Sequence, residues 1–361
     1  MRIAVLGAGG TIAPAIVRDL ASSEEVSSLR LLDLDLDRAE AVAREHGGDR
    51  AEAQVADANA GLSEQLEGVE LLINSAAYRV NLAAMEACLQ AGCHYLDLGG
   101  LYHVTAKQLE LSPRFEQAGR VAMLGVGSAP GKTNLLAARI AREIERPIDS
   151  ILVAAAGRDL EPPEGASFPY ALRTLLDEIT MAPMALVDGE PRELEPLQPG
   201  PRIDFGDPIG EAETIFTLHS EVLTFGDSFG APNVTFALSL SPAVLAALQE
   251  LAGAGEERIA EVARSALPPS PRTTSVHVVE ATSGDSVVRA RSVTPPHRDW
   301  GLGGGIVSTA SPAAAAARLL ARGRIEAIGA LPPERCIDPD EMFAELETRG
   351  VRFEIASVVA Q

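Results

Sequence analysis

Several common features are scarce or missing in this chain. Only three cysteines occur (Cys88, Cys93 and Cys336), and their spacing fits no metal-binding pattern. No apolar run reaches the ~18 residues that a membrane helix needs. The first residues enter a strand directly, without the charged and apolar segments of a signal peptide. We therefore expect a cytoplasmic protein with no bound metal and no membrane partner.

Positive charge is also in short supply. The 30 Lys and Arg side chains are outnumbered by 51 Asp and Glu, which leaves a formal net charge of −21. Nucleic-acid binders need basic patches to displace counterions, so this balance argues against that class. A small anionic ligand is still compatible with it, because the N-terminus of a helix carries local positive potential. With 361 residues, 46% of them hydrophobic, the chain is long enough for two folded domains.

The first 126 residues alternate between strand and helix patterns, which is typical of a parallel sheet with crossover helices. Six strands in this rhythm favour the doubly wound, Rossmann type of α/β fold. The predicted strands are Ile3–Leu6, Leu29–Leu34, Gln54–Ala56, Val69–Ile73, Tyr95–Leu98 and Val121–Val126. The predicted helices between them include Ile12–Leu20, Arg38–Glu45, Leu82–Leu89 and Val104–Ala118.

From about Ala129 the pattern changes. Hairpin turns are indicated at residues 187–190 and 283–285, the second between two alternating runs. Ser311 and Pro312 resemble the cap and first turn of a helix that ends near Gly323. These features predict a second domain of the α+β type, containing a mixed or antiparallel sheet and inserted after the Rossmann domain.

The segment from Gly7 to Ile12 follows a strand and opens a helix. Gly7 permits a tight turn, Gly9 allows a pyrophosphate to approach the backbone, and Gly10 opens the turn further. The free N–H groups at the start of the helix, near Thr11 and Ile12, would then point at the phosphates. Ile12 stands where the motif usually has its third glycine, which is a departure from the pattern.

An acidic residue at the end of the second strand strengthens this interpretation. Asp33 lies 24 residues after Gly9, near the distance expected for the carboxylate that binds a ribose. An anion there repels a 2′-phosphate, so NAD is favoured over NADP. Asp35 is a competing candidate, and Arg38 remains able to serve a 2′-phosphate.

Three further residues are candidate cofactor contacts at strand ends. Asp57 follows the third strand, where a side chain can reach the adenine. Ser75 and Ala76 follow the fourth strand, where small residues suit a backbone close to the nicotinamide side. Each is equally consistent with a simple strand-end cap.

Residues 127–133 superficially resemble a phosphate-binding loop. That motif needs a glycine where Val126 stands, and Pro130 removes one of the N–H donors on which the loop depends. A strand-end loop at the carboxyl edge of the sheet is the better interpretation. Lys132 and Asn134 would then be placed to bind substrate.

Together these segments resemble the saccharopine dehydrogenase (glutamate-forming) family, and the members that the chain looks most like are lysine 6-dehydrogenases. The matching segments are Gly7–Gly10, Asn74–Asn81, His94–Gly100, Gly125–Asn134, Ser311–Gly323 and Leu331–Glu334. The resemblance covers nearly the whole chain and is weakest in its centre.

The resemblance implies a split arrangement. A Rossmann domain of residues 1–128 would be completed by residues 306–361, and residues 129–305 would form the substrate-binding domain and a homodimer interface. Members of the family oxidise a C–N bond of an amino acid, or reduce the matching imine, with NAD(P) exchanging hydride. Lysine 6-dehydrogenase activity is the first hypothesis, and a saccharopine or carboxynorspermidine type of imine reduction is the second.

The resemblance also selects residues for the chemistry. Tyr78 follows the fourth strand, and Asp97 lies in the motif of the fifth strand. His219 and Ser220 match a stretch of the lysine enzymes. Asp97 is a candidate base or partner for a substrate ammonium. The alternative for Tyr78 is a role at a helix start, for Asp97 a buried structural carboxylate, and for His219 a core position.

Arg173 and Arg298 are weaker candidates for binding a substrate carboxylate. A different class of function also fits the glycine segment, namely a non-catalytic sensor of the NAD(P) redox state. Such a sensor would need Gly9 and Asp33 but neither Tyr78 nor His219.

Overall fold

The computed structural model describes residues 1–145, 147–165, 167–268 and 270–359, without the side chains of residues 358 and 359. The chain divides into two compact units. The first consists of Met1–Leu135 and Thr309–Leu346, and the second of Leu136–Ser308 and Glu347–Gln361.

The first unit is built on a seven-stranded sheet in which every described strand pair is parallel. The strands lie in the order β16-β6-β5-β4-β1-β2-β3. The chain therefore proceeds outward from β1 in one direction and from β4 in the other, which is the doubly wound arrangement with a switch point between these two strands. The strands are β1 (Arg2–Leu6), β2 (Ser28–Asp33), β3 (Ala51–Val55), β4 (Leu71–Asn74), β5 (His94–Asp97), β6 (Val121–Met123) and β16 (Gly329–Leu331).

Helices connect these strands, and further helices lie in the rest of the chain. They are α1 (Ala13–Ala21), α2 (Leu36–Val42), α3 (Leu62–Gln65), α4 (Asn81–Ala91), α5 (Leu101–Leu109), α6 (Ser112–Gln117), α7 (Lys132–Ala141), α8 (Leu172–Thr180), α9 (Glu221–Phe229), α10 (Pro242–Leu251), α11 (Glu256–Ser265), α12 (Gly304–Ala321), α13 (Pro333–Cys336) and α14 (Pro339–Glu347).

The core of the first unit lies on the faces of the parallel sheet. Strand β4 is buried at every position, as expected for a strand covered by helices on both faces. Tyr95 and Phe115 are the largest fully buried aromatic side chains of this core. Such a sheet leaves only the ends of its strands accessible to a ligand.

The second unit contains a mixed sheet in the order β17-β15-β14-β7-β13-β8-β9. Strand β7 pairs parallel with β13 and antiparallel with β14, and β12 pairs with β13 off this path. Its strands are β7 (Ser150–Asp159), β8 (Met184–Val187), β9 (Glu190–Glu193), β12 (Ile215–Phe216), β13 (Asn233–Ser239), β14 (Thr273–Ser283), β15 (Ser286–Thr294) and β17 (Arg352–Val359). Strands β10 (Ile203–Asp204) and β11 (Glu211–Ala212) pair with each other in a separate two-stranded sheet.

The fold class expected from the sequence is confirmed, with a doubly wound parallel sheet and a separate mixed sheet. Both predicted hairpin turns are present, one joining β8 to β9 and one joining β14 to β15. In the first of them Asp188 and Gly189 both have positive φ, of 53° and 81°. That is the backbone which a two-residue hairpin turn requires.

Two predicted helices differ from the structure. Residues 104–118 form two helices, α5 and α6, because Pro113 begins a new first turn and cannot continue the old one. Ser311 is not a helix cap: α12 begins at Gly304 and runs through Pro312. A glycine-rich segment hides that earlier start from sequence patterns.

The chain's return to the first unit is also shorter than the segment the sequence suggests. Residues 309–346 belong to the first unit, and β17 joins the mixed sheet by pairing with β15. Arg291 on β15 lies 3.0 Å from Glu354 on β17, and this ion pair links the two strands.

Within the described parts of the chain, no helix is both long and apolar enough to cross a membrane.

Candidate functional site

The turn after β1 brings the chain against the end of β4. Gly7 has a φ of +74°, and its N–H donates to the carbonyl of Leu32 at 2.8 Å. A Cβ on Gly7 would lie 2.7 Å from the backbone nitrogen of Ala76. Glycine is therefore required here both for its backbone conformation and for this close approach.

The next glycine connects the turn to the end of β2. Gly9 donates its N–H to Asp33 Oδ2 at 2.8 Å, and a Cβ on Gly9 would lie 2.8 Å from Cβ of Arg38. The other carboxylate oxygen of Asp33 accepts from the N–H of Asp35 at 3.0 Å. Asp35 itself caps helix α2 by accepting from the N–H of Arg38. Of the two acids, Asp33 is the one at the glycine turn.

Helix α1 begins directly after this turn. Gly10 donates to the carbonyl of Gly7 at 3.0 Å, Thr11 is exposed, and Ile12 is the residue before the first helical position. The first turn of the helix carries no acidic side chain. The positive potential at this helix N-terminus can therefore receive an anion, as in other helix N-termini that bind phosphates.

An exposed apolar surface flanks Asp33 and was missed by the sequence analysis. Leu34 is 71% exposed and Val55 is 54% exposed, the highest fractions among the exposed large hydrophobic side chains of the described residues. They stand at the ends of the paired strands β2 and β3. Apolar faces at this position suit the adenine ring of a dinucleotide. Asp57 lies nearby in sequence but is exposed, and its carboxylate accepts from the N–H of Asn59.

The end of β4 lies beside the glycine turn. Ser75 donates its N–H to the carbonyl of Leu6 at 2.9 Å, and Ala76 donates to Asn74 Oδ1 at 3.1 Å. The hydroxyl oxygen of Ser75 is buried and has no hydrogen-bond partner among the described residues. Buried polar atoms normally have partners, so this hydroxyl fits a group supplied by a ligand.

The glycine turn and the orphaned hydroxyl together fit a dinucleotide. Gly7 and Gly9 form a cradle that a Cβ would fill, Asp33 accepts a hydrogen bond from this turn, and Ser75 lies across the switch point. Tyr78 begins a short 3₁₀ turn just after Ala76 and is half-buried, with the Arg79 guanidinium carbon 5.0 Å from its ring centroid.

Asp97 lies inside the first unit and not on its surface. Its side chain is 1% exposed. It accepts from Gln108 Nε2 at 2.6 Å, from the N–H of Gly125 at 2.7 Å and from the N–H of Gly99 at 2.9 Å. Burial raises the pKa of this carboxyl, and these hydrogen bonds oppose the rise. The geometry favours the structural alternative, in which Asp97 ties together the loops after β5 and β6.

Asn134 has a similar role in the loop that precedes α7. Its Oδ1 accepts from the N–H of Gly131 at 2.8 Å, and its Nδ2 donates to Glu334 Oε2 at 2.8 Å. The amide is buried, so its donors and acceptors are directed to the loop and to α13. Lys132, two residues earlier, is fully buried, and burial lowers its pKa to about 7.

His219 lies in the second unit. Its ring stacks on Phe236 with centroids 3.5 Å apart, and its nitrogens lie 3.5 Å from Glu221 Oε2 and 3.8 Å from Glu178 Oε2. Burial acts to lower the pKa of His219, but the nearby carboxylates of Glu178 and Glu221 outweigh it and raise the pKa to about 9. Tyr170 donates a hydrogen bond to Glu178. His219 is therefore a buried imidazole whose protonated form the two carboxylates favour.

Other residues expected in the second unit are less suited to binding substrate. Ser220 is buried, and its carbonyl accepts from two N–H groups in the first turn of α9. Arg173 pairs with Asp177 at 3.2 Å and with Glu256 at 2.5 Å. Arg298 is exposed. Among the described residues, no group of three or more His, Cys, Asp or Glu is arranged to hold a metal ion.

Comparison with known proteins identifies the cradle. Residues 3–123 match the family model described as the saccharopine dehydrogenase NADP binding domain. This chain carries a saccharopine dehydrogenase NAD(P)-binding domain. Over these residues it is similar to the NAD(P)-binding oxidoreductases of the saccharopine dehydrogenase family, as the sequence motifs indicated.

The solved and curated relatives agree with this assignment. The apo saccharopine dehydrogenase (L-Glu forming) from Saccharomyces cerevisiae has a TM-score of 0.72, covering 99% of this chain and 100% of that chain at 15% identity, which supports the fold alone. A carboxyaminopropylagmatine dehydrogenase from Synechocystis sp. is 25% identical over 72% of this chain and 68% of its own length. A carboxynorspermidine synthase from Vibrio cholerae is 35% identical over 23% of this chain and 22% of its own length.

Several polar residues of this saccharopine dehydrogenase fold were missed in the sequence. Glu178 and Gln108 lie on other elements than His219 and Asp97, whereas Glu221 lies two residues after His219. The one available signal was a charged residue next to an apolar helical face, as at Glu178 within α8. That pattern is too common to single out a site.

Proposed function

We propose that this chain is a dehydrogenase that oxidises a C–N bond of an amino acid or of an N-carboxyalkyl amine, or reduces the corresponding imine. The observation that carries the proposal is the dinucleotide cradle of Gly7, Gly9 and Asp33 within a saccharopine dehydrogenase NAD(P)-binding domain. Two curated relatives, named for carboxyaminopropylagmatine and carboxynorspermidine, support C–N chemistry.

The chemistry divides between the cofactor and the chain. A bound nicotinamide supplies or accepts hydride. The chain must hold the reacting carbon against the ring, keep the amine neutral before oxidation, and exclude stray water. We assign the ribose to Asp33 and the nicotinamide side to Ser75, Ala76 and Tyr78. His219, with its two carboxylates, is a substrate-side candidate in the second unit.

The substrate has two candidate forms. Oxidative removal of the ε-amino group of lysine is the form suggested by the resemblance to lysine 6-dehydrogenases. Reduction of an imine to a carboxyalkylated polyamine is favoured by the names of both curated relatives. In either form the product is a small, charged amine, and we propose that the enzyme acts as a homodimer in the cytoplasm.

NAD is the proposed cofactor, because the carboxylate of Asp33 repels a 2′-phosphate. Arg38 lies beside the same turn and is the residue that would favour NADP instead. The substitution Asp33→Ser removes the negative charge and tests this choice of cofactor. We expect the ratio of NAD to NADP affinity to fall at least tenfold in calorimetric titrations. An unchanged ratio would remove Asp33 from the ribose site.

The proposed function is tested by absorbance of reduced nicotinamide, with NAD and NADP supplied separately. The panel contains lysine, saccharopine, carboxynorspermidine and carboxyaminopropylagmatine in the oxidative direction. Growth of the band with any of them supports the proposal and selects the substrate. The control is the variant Gly7→Ala, which should turn over none of these four substrates. NAD binding without turnover across the panel favours the redox sensor instead.

A further inference from the structure

Lysine is almost absent from this chain. Of the 30 Lys and Arg residues, only Lys107 and Lys132 are lysine. Lys107 is exposed on α5, whereas Lys132 is fully buried at the first position of α7. Arginine stays charged in any protein environment, but a buried lysine can release its proton. A chain that uses arginine for nearly every cation therefore has lysine at the one place where a buried amine can titrate.

The loop before Lys132 fixes the position of its backbone. The N–H of Lys132 donates to the carbonyl of Gly127 at 3.0 Å, and that of Gly127 donates to the carbonyl of Pro130 at 3.0 Å. A Cβ on Gly131 would lie 2.2 Å from the oxygen of Gly127, so the loop is folded closely on itself. No side chain larger than the hydrogen of glycine fits at Gly131, so the turn is a rigid support for Lys132.

This support stands at the carboxyl edge of the parallel sheet. The loop follows β6, and Gly125 within it donates to Asp97 at the end of β5. Ser75, with its orphaned hydroxyl, follows β4 at the same edge. In a doubly wound sheet the half formed by β4, β5 and β6 receives the nicotinamide side of a dinucleotide. Lys132 thus lies in the half of the unit where hydride transfer takes place.

The surroundings of Lys132 leave its amine close to neutrality. Burial lowers its pKa to about 7, because a low-dielectric environment penalises the ammonium form. Two carboxylates, Asp97 on β5 and Glu334 on α13, accept hydrogen bonds from this part of the chain. Asp97 accepts from Gly125, and Glu334 accepts from Asn134. An amine that is half protonated near pH 7 can serve as base in one direction and acid in the other.

We infer that Lys132 is the proton-transfer residue of the C–N oxidation, an inference that rests on the proposed function. In the oxidative direction the lone pair of Lys132 Nζ forms a bond to a proton of the substrate ammonium, and the N–H bond of the substrate breaks. The neutral amine then releases a hydride from its carbon to oxidised nicotinamide, and its nitrogen lone pair forms the C=N bond of an iminium ion. Reduction reverses each step, with Lys132 returning the proton.

This role differs from the one expected from sequence, in which Lys132 binds a substrate carboxylate. An anchor needs a permanent positive charge, which arginine also supplies. A proton-transfer group needs a neutral form, which arginine does not have. The substitutions Lys132→Arg and Lys132→Met therefore separate the two roles, since Arg keeps the charge and Met keeps only the length of the chain.

The first test needs no activity. Protein labelled with carbon-13 at the lysine ε-carbon should give two NMR signals, which Lys107→Met assigns. Titrating the wild-type chain, we expect the Lys132 signal to shift between pH 6 and 8. A Lys132 signal that shifts only near pH 10 would overturn the proposal.

The second test is kinetic and uses the substrate found in the panel. We expect Lys132→Met and Lys132→Arg each to lower kcat of oxidation about 100-fold or more, the usual contribution of general acid–base catalysis. The wild-type rise of kcat with pH around 7 should vanish in both. Lys107→Met is the matched control and should retain the wild-type profile.

Each other outcome counts against the inference in a different way. If Lys132→Arg keeps kcat and Lys132→Met only raises KM, Lys132 is a carboxylate anchor. If Lys132→Met turns over normally, the proton-transfer step is overturned while the C–N function stands. If the wild type oxidises nothing in the panel but NMR still shows a low pKa, the proposed function fails first.

Discussion

Gly7 combines a left-handed backbone with a close contact to Ala76, just after β4. Comparing it with a second glycine separates the two effects. Gly92 has nearly the same φ, +71°, but open space where a Cβ would be. We expect Gly92→Ala to cost about 1 kcal/mol of unfolding free energy, the usual penalty for this conformation. Gly7→Ala should cost more, because its Cβ meets Ala76, and should lower dinucleotide affinity at least tenfold.

Urea unfolding and calorimetric titration with NAD measure both quantities in the two variants. Equal losses of stability would mean that the contact with Ala76 relaxes easily. Equal and unchanged NAD affinities would mean that the turn after β1 does not hold the pyrophosphate.

His219 makes stability depend on pH in a known direction. Its pKa is raised in the folded chain to about 9 from the usual 6.5, so the folded state binds the proton more tightly than the unfolded chain does. The stabilisation is complete below pH 6.5 and is lost as the pH rises through 9. We expect the stability advantage of the wild type over His219→Gln to fall by up to roughly 1.4 kcal/mol per pH unit in this window.

Denaturant unfolding at a series of pH values checks this dependence, with the exposed His103→Gln as control. A constant difference between wild type and His219→Gln from pH 6 to 9 would show that Glu178 and Glu221 do not hold the imidazolium.

A buried network of ion pairs connects helix α12 to helices α1 and α14. Arg318 on α12 lies 3.0 Å from Asp19 on α1 and 2.8 Å from Glu345 on α14, and it is 3% exposed. Removing one partner from a buried network leaves a charge without its counterpart. We expect Arg318→Met to lower the unfolding free energy by about 3–5 kcal/mol.

The matched control is Arg324→Met, because Arg324 pairs with Glu341 on α14 at the surface. Exposed pairs contribute about 1 kcal/mol or less. Chemical denaturation of the two variants compares them directly. A similar, small loss in both would mean that the buried network is balanced by its own desolvation.

How far the sequence predicts these elements depends on the range of the interactions involved. Strands β1 to β6 and the glycine turn at Gly7 were predicted because they rest on local periodicity and short motifs. The network around Asp97 was not, because its donors come from Gln108 and Gly125, which only the folded sheet brings near. The early start of α12 was hidden by glycines that usually end a helix.

For the whole molecule, the position of β17 gives a prediction. This strand pairs with β15 along its full length, at the edge of the mixed sheet in the second unit. A chain ended at Gly350 would leave the hydrogen-bonding groups of β15 unpaired along that edge. We expect unfolding of the second unit several degrees lower, with NAD binding by the first unit preserved.

Scanning calorimetry with and without NAD follows the two units, because a ligand raises the unfolding temperature of the unit that binds it. A truncated chain that melts like the full one would show that β17 adds little. Loss of NAD binding would show that the first unit depends on the strand.

The order in which the chain visits its two units has a consequence for synthesis. The chain enters the second unit after Leu135, returns to the first at Thr309, and leaves again after Leu346. During translation the parallel sheet lacks β16 until Gly329–Leu331 have emerged from the ribosome, and the mixed sheet waits still longer for β17. Domains formed from one continuous segment can fold in turn as they appear. Here neither unit is complete before its last strand has been synthesised, so the nascent chain must stay protected from aggregation until then.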